Sequence, residues 1–210
     1  MEYLISIIIG YGFGCIQASY ILGRIVLGKD IRDLGNGNAG ASNATIVFGK
    51  RFGFITVLID AFKAVIAIGI IRMIYRDDLS YEKLTNLVYL GGFFVIIGHN
   101  FPFYMGFKGG KGTAALIGLL FAVDYRLGLI SLLVMLLVIG ITDYMVIGTF
   151  SLLLMLMTYT FTFHLDFINV ILALILSIMS VYKHYINIVH IREGSEKRVF
   201  AALKAKRKKG

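Results

Sequence analysis

The chain has 210 residues, 58% of them hydrophobic, and a mean hydropathy of +0.83, well above that of a water-soluble domain. Twenty-one Lys and Arg against 12 Asp and Glu give a net charge of +9. No nucleic-acid-binding motif accompanies that charge, so it reads as membrane orientation and no nucleic acid partner is expected. Cys15 is the single cysteine, which excludes a disulfide framework, and neither a metal nor a cofactor is expected.

Apolar runs of roughly 20 residues mark bilayer helices. Seven are predicted, at about 3–23, 52–74, 87–105, 113–123, 127–142, 144–163 and 167–182, the fourth and fifth being short. The first is expected to stay in the membrane, because nothing basic precedes it and no processing site follows. Residues 1–210 therefore read as a single polytopic, all-α integral membrane domain. With the N-terminus outside, the inner segments carry Arg24, Lys29, Arg32, Lys50 and Arg51, then Lys108 and Lys111, then nine Lys and Arg within 183–210. The outer segments hold Arg72, Arg76, Lys83 and Arg126. Positive charge concentrates on the cytoplasmic side, which places the C-terminus and three polar segments there. The basic tail, about 192–210, is expected to lie on anionic membrane lipid.

After the first span, residues 30–43 read DIRDLGNGNAGASN. Gly35, Gly37 and Gly40 match G-x-G-x-x-G, with Asp60 about 20 residues on. No strand precedes them and Asp60 falls inside an apolar span, so a dinucleotide site is set aside. The density of glycine with Asn36, Asn38, Ser42 and Asn43 favours a ligand-binding turn over a plain connector. Asp60 and Lys63 are three apart and share one helix face. Two readings stand for them: a functional pair in hydrocarbon, or an ion pair that locks this helix against a neighbour.

Residues 98–112 read GHNFPFYMGFKGGKG, and the rest of the chain is organised around them. Gly109, Gly110 and Gly112 can bring backbone N–H groups close to a ligand. Lys108 and Lys111 add two cations, and a helix is predicted to start at Thr113. A glycine turn feeding a helix N-terminus is an anion site, and at the edge of an apolar phase the anion expected is a phosphate. A nucleotide P-loop is excluded, since Met105 and Gly112 stand where it needs Gly and Ser or Thr. His99, Asn100 and Pro102 lead into the turn, with His99 read as a helix-end hydrogen-bonding residue beside the phosphate.

The later spans carry little chemistry. Asp143 sits in a tight inner turn, and His164 with Asp166 reads as a solvated outer turn. The last span ends with His184 and Asn187, three apart on one face at the inner membrane edge, followed by His190 and Glu196.

Taken together, residues 30–43, residues 98–112 and the His184, Asn187, Glu196 cluster resemble the acyl-phosphate-dependent glycerol-3-phosphate acyltransferases (the PlsY family) over almost the whole chain. The middle segment carries the resemblance most specifically. It implies transfer of a fatty acyl group from an acyl phosphate to sn-glycerol 3-phosphate, giving lysophosphatidic acid and phosphate, in a bacterial cytoplasmic membrane. It also leaves room for contact with other phospholipid-synthesis enzymes. His184, Asn187, Lys111 and Asn36 would be catalytic. Gly35, Gly37, Asn38, Gly40, Asn43, His99, Asn100, Lys108, Gly109, Gly110 and Gly112 would hold the substrate phosphates. Asp60, Lys63, Pro102 and Glu196 would be structural.

The chain departs from that family's pattern at named positions. Asn36 stands at its serine, Ile46 at an arginine, Gln17 at a proline with Cys15 at the preceding serine, Ile186 at a glutamate and His190 at an arginine. The intact turn with His184 and Asn187 points to an enzyme. Asn36 and Ile46 point to a second reading, a catalytically impaired paralogue that binds phosphate or lipid as a regulator, carrier or assembly partner.

Overall fold

The computed structural model describes residues 1–163 and 166–200, and every regular element among them is helical. The basic cluster at 204–209 and the outer-turn His164 lie outside the described residues. The chain divides into two compact units, Met1–Tyr125 and Arg126–Gly210.

In the first unit, α1 (Glu2–Gly14) and α2 (Ala18–Leu27) form one apolar stretch interrupted at residues 15–17. Gly28 closes α2 in the left-handed region (φ 62°), its N–H donating to the Arg24 carbonyl and the Lys29 N–H to the Gly23 carbonyl. A short helix the sequence did not announce, α3 (Ala41–Phe48), precedes α4 (Lys50–Tyr75). Ser80 caps α5 (Tyr81–Asn100), its hydroxyl accepting from the Lys83 N–H at 3.3 Å. As predicted, α6 (Thr113–Val123) starts at Thr113, with Gly112 (φ 86°) as its N-cap.

Helix α4 shows why sequence periodicity is weak here. Phe54, Leu58, Phe62 and Ile66 are exposed on one side, while Gly53, Thr56, Asp60, Lys63, Ala64 and Ala67 are buried on the other. In lipid large apolar side chains can face outward, and Ile68 and Ile71 are also buried on the packed side, so an apolar stripe does not mark the buried face as it would in water. Small residues set the packing instead. On α1, a Cβ at Gly10 would overlap the Gly91 carbonyl of α5, and one at Gly98 would press on the Tyr11 carbonyl of α1. A Cβ at Gly118 would run into the Ala61 backbone, so α6 lies directly on α4.

In the second unit, α7 (Tyr125–Thr142) begins at the boundary, and α8 (Met145–Thr162) packs on α9 (Phe167–Lys183). Asp166 caps α9, its carboxylate accepting from the Ile168 N–H at 3.0 Å. Helix α10 (Tyr185–Arg192) follows across a 52° bend.

Among the described residues, five stretches are long and apolar enough to cross a bilayer: Glu2–Leu27, Lys50–Tyr75, Tyr81–Met105, Tyr125–Thr142 and Met145–Thr162. The bent pair α9 and α10 makes a sixth if counted as one span. Of the seven runs expected from the sequence, the fourth is shorter than a spanning helix. Helix α6 has 11 residues, which at 1.5 Å per residue reaches only about 16 Å against the roughly 30 Å of hydrocarbon. The chain is a multi-pass membrane protein.

Gly98→Ala is predicted to destabilise the protein by about 1–3 kcal/mol, because α1 must lift from α5. Gly12→Ala, whose Cβ meets nothing within 4 Å, is the control. Thermal unfolding in detergent checks both.

Candidate active site

The break between α1 and α2 frees carbonyls that a continuous helix would have satisfied, and the Lys63 ammonium takes two of them. Its Nζ donates to the Gly14 carbonyl at 3.0 Å and the Ile16 carbonyl at 2.7 Å. It also lies 2.8 Å from His99 Nδ1 and 3.0 Å from Asp60 Oδ1, with both ends of the ion pair 2% exposed. An ammonium has three N–H groups. Two of them go to the carbonyls, the third lies between His99 and Asp60, and Asp60 supplies the counter-charge. His99 Nδ1 also lies 3.5 Å from Asp60 Oδ1, so the imidazole is held between the ammonium and the carboxylate. A third freed carbonyl, that of Cys15, accepts from the Tyr104 hydroxyl at 2.7 Å.

The glycine–lysine turn is built on His99. The Gly110 N–H donates to the His99 carbonyl and the Gly109 N–H to the Asn100 carbonyl, each at 3.1 Å. A Cβ on Gly110 would overlap His99 Nε2, and one on Gly109 would overlap the His99 carbonyl and reach within 2.6 Å of Pro102 Cδ. These two glycines are needed for close approach. Their N–H groups hold the turn together instead of facing an anion, which corrects the expected N–H donor role. Pro102 is buried, and its carbonyl accepts from the N–H groups of Met105 and Phe107 at 3.1 Å each. Phe107 is non-glycine at φ 59°. Lys108 is exposed and Lys111 half-buried.

The asparagine–glycine loop is organised by Asn43, which is fully buried. Its two Nδ2 hydrogens are shared among the carbonyls of Ile31 (3.0 Å), Leu34 (3.0 Å) and Asn38 (2.8 Å), and its Oδ1 accepts from the Asn36 N–H (2.6 Å). The Asn38 carboxamide accepts from the Gly40 N–H at 3.0 Å, an Asx turn leading into α3. Gly35 and Gly37 take positive φ (62° and 70°), and a Cβ on Gly35 would overlap Asn43 Oδ1. Asn36 is left exposed at the loop surface.

Arg32 joins the loop to the turn. Its Nε and Nη2 grip Asp30, the Nη2–Oδ2 distance being 2.7 Å. Its Nη1 donates to the Met105 carbonyl at 2.6 Å and the Lys108 carbonyl at 3.3 Å. The hydrogen-bonded guanidinium holds the Asp30 carboxyl below the ordinary 3.8 of an aspartate, and Arg32 is raised in turn. The stabilisation from this pair is complete above pH 3.8 and is lost as pH falls through the lowered value.

In the second unit, His184 lies buried at the bend between α9 and α10, edge-on to the Phe150 ring. Its Nδ1 is 2.9 Å from the Ser180 carbonyl, so Nδ1 carries the proton and Nε2 the lone pair. Asn187 Nδ2 donates to Glu196 Oε1 at 2.7 Å.

The profile of the glycerol-3-phosphate acyltransferase family matches residues 4–194. The chain belongs to that family. It is 41% identical over 189 residues to glycerol-3-phosphate acyltransferase 1 of Oceanobacillus iheyensis, covering 89% of this chain and 90% of that one. The Clostridioides difficile glycerol-3-phosphate acyltransferase is 34% identical over 203 residues, covering 94% and 96%. Among solved structures, the glycerol 3-phosphate form of PlsY, an integral membrane glycerol 3-phosphate acyltransferase, superposes with a TM-score of 0.82 at 27% identity, covering 94% of this chain and 96% of that one. Its lysophosphatidic acid form gives 0.80 at 26% identity, covering 94% and 95%.

Within this family member, the structure brings together the asparagine–glycine loop, the glycine–lysine turn and the Asp60–Lys63–His99 node in the first unit. His184, Asn187 and Glu196 cluster in the second. Sequence reasoning missed the latch role of Arg32, because its partners at 105 and 108 are backbone carbonyls that leave no residue signature. It also missed Gln17, whose Nε2 donates to the His99 carbonyl at 2.8 Å and so ties the helix break to the turn where the family pattern has proline.

Lys63→Met leaves the Asp60 carboxylate buried without its counter-charge, and is predicted to cost about 3–5 kcal/mol. The double variant Asp60→Leu with Lys63→Met should recover part of that loss. Denaturation in detergent, read by loss of helical circular dichroism, measures both.

Proposed function

We propose that this chain transfers a fatty acyl group from an acyl phosphate to the 1-hydroxyl of sn-glycerol 3-phosphate, giving lysophosphatidic acid and inorganic phosphate. The observation that carries the reading is the Arg32 bridge from Asp30 to the carbonyls of Met105 and Lys108. It holds two glycine-rich segments about 70 residues apart side by side, in a family whose members are named for this acceptor.

The donor is an activated mixed anhydride, so no enzyme nucleophile is required once both substrates are held in attack geometry. The glycerol oxygen bonds to the acyl carbon, and the bond from that carbon to the phosphate oxygen breaks. Lys111 and Lys108 neutralise the departing phosphate, with the N-terminal turn of α6 adding its dipole. With the Gly109 and Gly110 N–H groups committed to the turn, the two lysines carry more of this role than glycine spacing suggested. His184, with its lone pair on Nε2, is assigned as the base that takes the hydroxyl proton, and Asn187 as its hydrogen-bonding neighbour. Asn36, Asn38 and Asn100, on the glycine framework of 35, 37, 40 and 112, are assigned to the substrate phosphates. Asn43 is assigned to shaping the loop.

The reading takes residues 1–210 as one membrane domain, supported by the family match running through both units. It places the protein in a bacterial cytoplasmic membrane with the N-terminus outside. The polar loops and C-terminus then lie inside, and the basic tail rests on anionic lipid. Contact with other enzymes of phospholipid synthesis fits that placement.

Purified protein given palmitoyl phosphate and sn-glycerol 3-phosphate should release phosphate and lysophosphatidic acid in equal amounts, dependent on both substrates. No turnover, beside an active Oceanobacillus iheyensis relative in the same assay, would favour the non-catalytic paralogue. Lys111→Ala should lower kcat by about 10²–10³, the loss typical of removing one charge-stabilising donor. Ile46 is exposed on α3, and Ile46→Arg should lower KM for glycerol 3-phosphate roughly tenfold, as a new charge-assisted hydrogen bond to phosphate would.

A further inference from the structure

The turn between α7 and α8 contains the second non-glycine residue in the left-handed region, Asp143 at φ 63°. Aspartate tolerates that conformation better than most residues, and here both of its acceptors are used by the chain beyond α10. The Asp143 carbonyl accepts from the Val199 N–H at 3.0 Å, and its carboxylate Oδ1 accepts from the Phe200 N–H at 2.7 Å. Beside them the Arg198 guanidinium lies 5.9 Å from the centroid of the Tyr144 ring.

The other end of the same segment is tied to α10. Gly194 (φ 73°) reverses the chain, and the N–H groups of Ser195 and Glu196 both donate to the His190 carbonyl, at 2.8 and 3.1 Å. The Glu196 carboxylate then faces two side chains. Oε1 accepts from Asn187 Nδ2 at 2.7 Å, and Oε2 lies 3.6 Å from His190 Nδ1. Residues 194–200 thus form a strap fixed at both ends. Glu196 is three residues from Val199, a fully extended reach of only about 10 Å, so the clamp at Asp143 limits where the Glu196 carboxylate can lie.

We infer that Asp143 is a positioning residue for Asn187, acting through the strap and Glu196. A carboxamide rotates freely about its last bond unless a partner distinguishes nitrogen from oxygen. Glu196 makes that distinction by accepting from Nδ2, which presents the Asn187 oxygen on the other side. The inference rests on the functional reading above, in which Asn187 works beside His184.

Four variants, with Glu196→Ala alone as a reference, test it in the palmitoyl phosphate assay. Asp143→Gly keeps the left-handed backbone and the carbonyl but removes the carboxylate. It should lower kcat about tenfold, as loss of one positioning hydrogen bond does, with KM for glycerol 3-phosphate within about twofold. Asp143→Asn keeps an acceptor oxygen and should restore kcat. Phe200→Pro removes the donor while leaving the Asp143 turn intact, so it should reproduce Asp143→Gly and carries the test if that variant does not fold. Asp143→Gly combined with Glu196→Ala should be no slower than Glu196→Ala alone, because the two act in series. Unchanged kcat in Asp143→Gly and Phe200→Pro, or losses that multiply in the double variant, would overturn the inference while leaving the functional reading intact. An inactive wild type, or an Asn187→Ala variant with full activity, would overturn that reading and this inference with it.

Discussion

Burying an ammonium where a membrane helix is broken is the constraint on which the first unit depends. A helix interrupted in hydrocarbon exposes carbonyls with no water to take them. Lys63 answers that need at Gly14 and Ile16, and Asp60 balances its charge. The same ammonium fixes His99 by its ring nitrogen. The His99 carbonyl accepts from Gln17 on one side and from the Gly110 N–H on the other. One charged group thereby links the helix break, α4, the end of α5 and the glycine–lysine turn. The two readings left open for Asp60 and Lys63 meet in this arrangement, because the ion pair contacts both the helix break and His99, on which the glycine–lysine turn is built.

A second linkage runs on the polar side. Arg32 carries donors in a rigid fork, and Asp30 uses one side of it, so Nη1 is aimed at Met105 and Lys108. The asparagine–glycine loop and the glycine–lysine turn are therefore one assembly, resting on the cluster of Ile31, Ala39, Ala44 and Met105. In the second unit the strap joins the α7–α8 turn to Asn187 through the opposite polarity, with the Val199 and Phe200 N–H groups donating to Asp143 and the Asn187 carboxamide donating to Glu196.

Much of this was legible in the sequence. Apolar length located the membrane helices, the glycine and asparagine density located the loop, and Thr113 was correctly expected to start a helix. The resemblance to the acyltransferase family was legible at residues 98–112. What was not legible has physical causes. Gly109 and Gly110 suggested anion-binding N–H groups, but a glycine needed for close packing on His99 has the same spacing as one needed for a phosphate cradle. The break at 15–17 carries no proline, so the first span read as continuous. Helix α6 is as apolar as a spanning helix but has 11 residues and packs on α4, a shortness the sequence showed without its cause. Arg32 was visible as a cation, but its carbonyl partners were not.

If Lys63 holds the helix break and the glycine–lysine turn as one unit, removing its charge loosens both. Hydrogen exchange read by mass spectrometry on folded Lys63→Met protein, beside wild type, should then show faster exchange at residues 14–17 and 98–112 together. The Gly109 and Gly110 amides should be among those deprotected, while α8 and α9 stay unchanged. Faster exchange confined to α4, with 98–112 as protected as in wild type, would contradict that linkage.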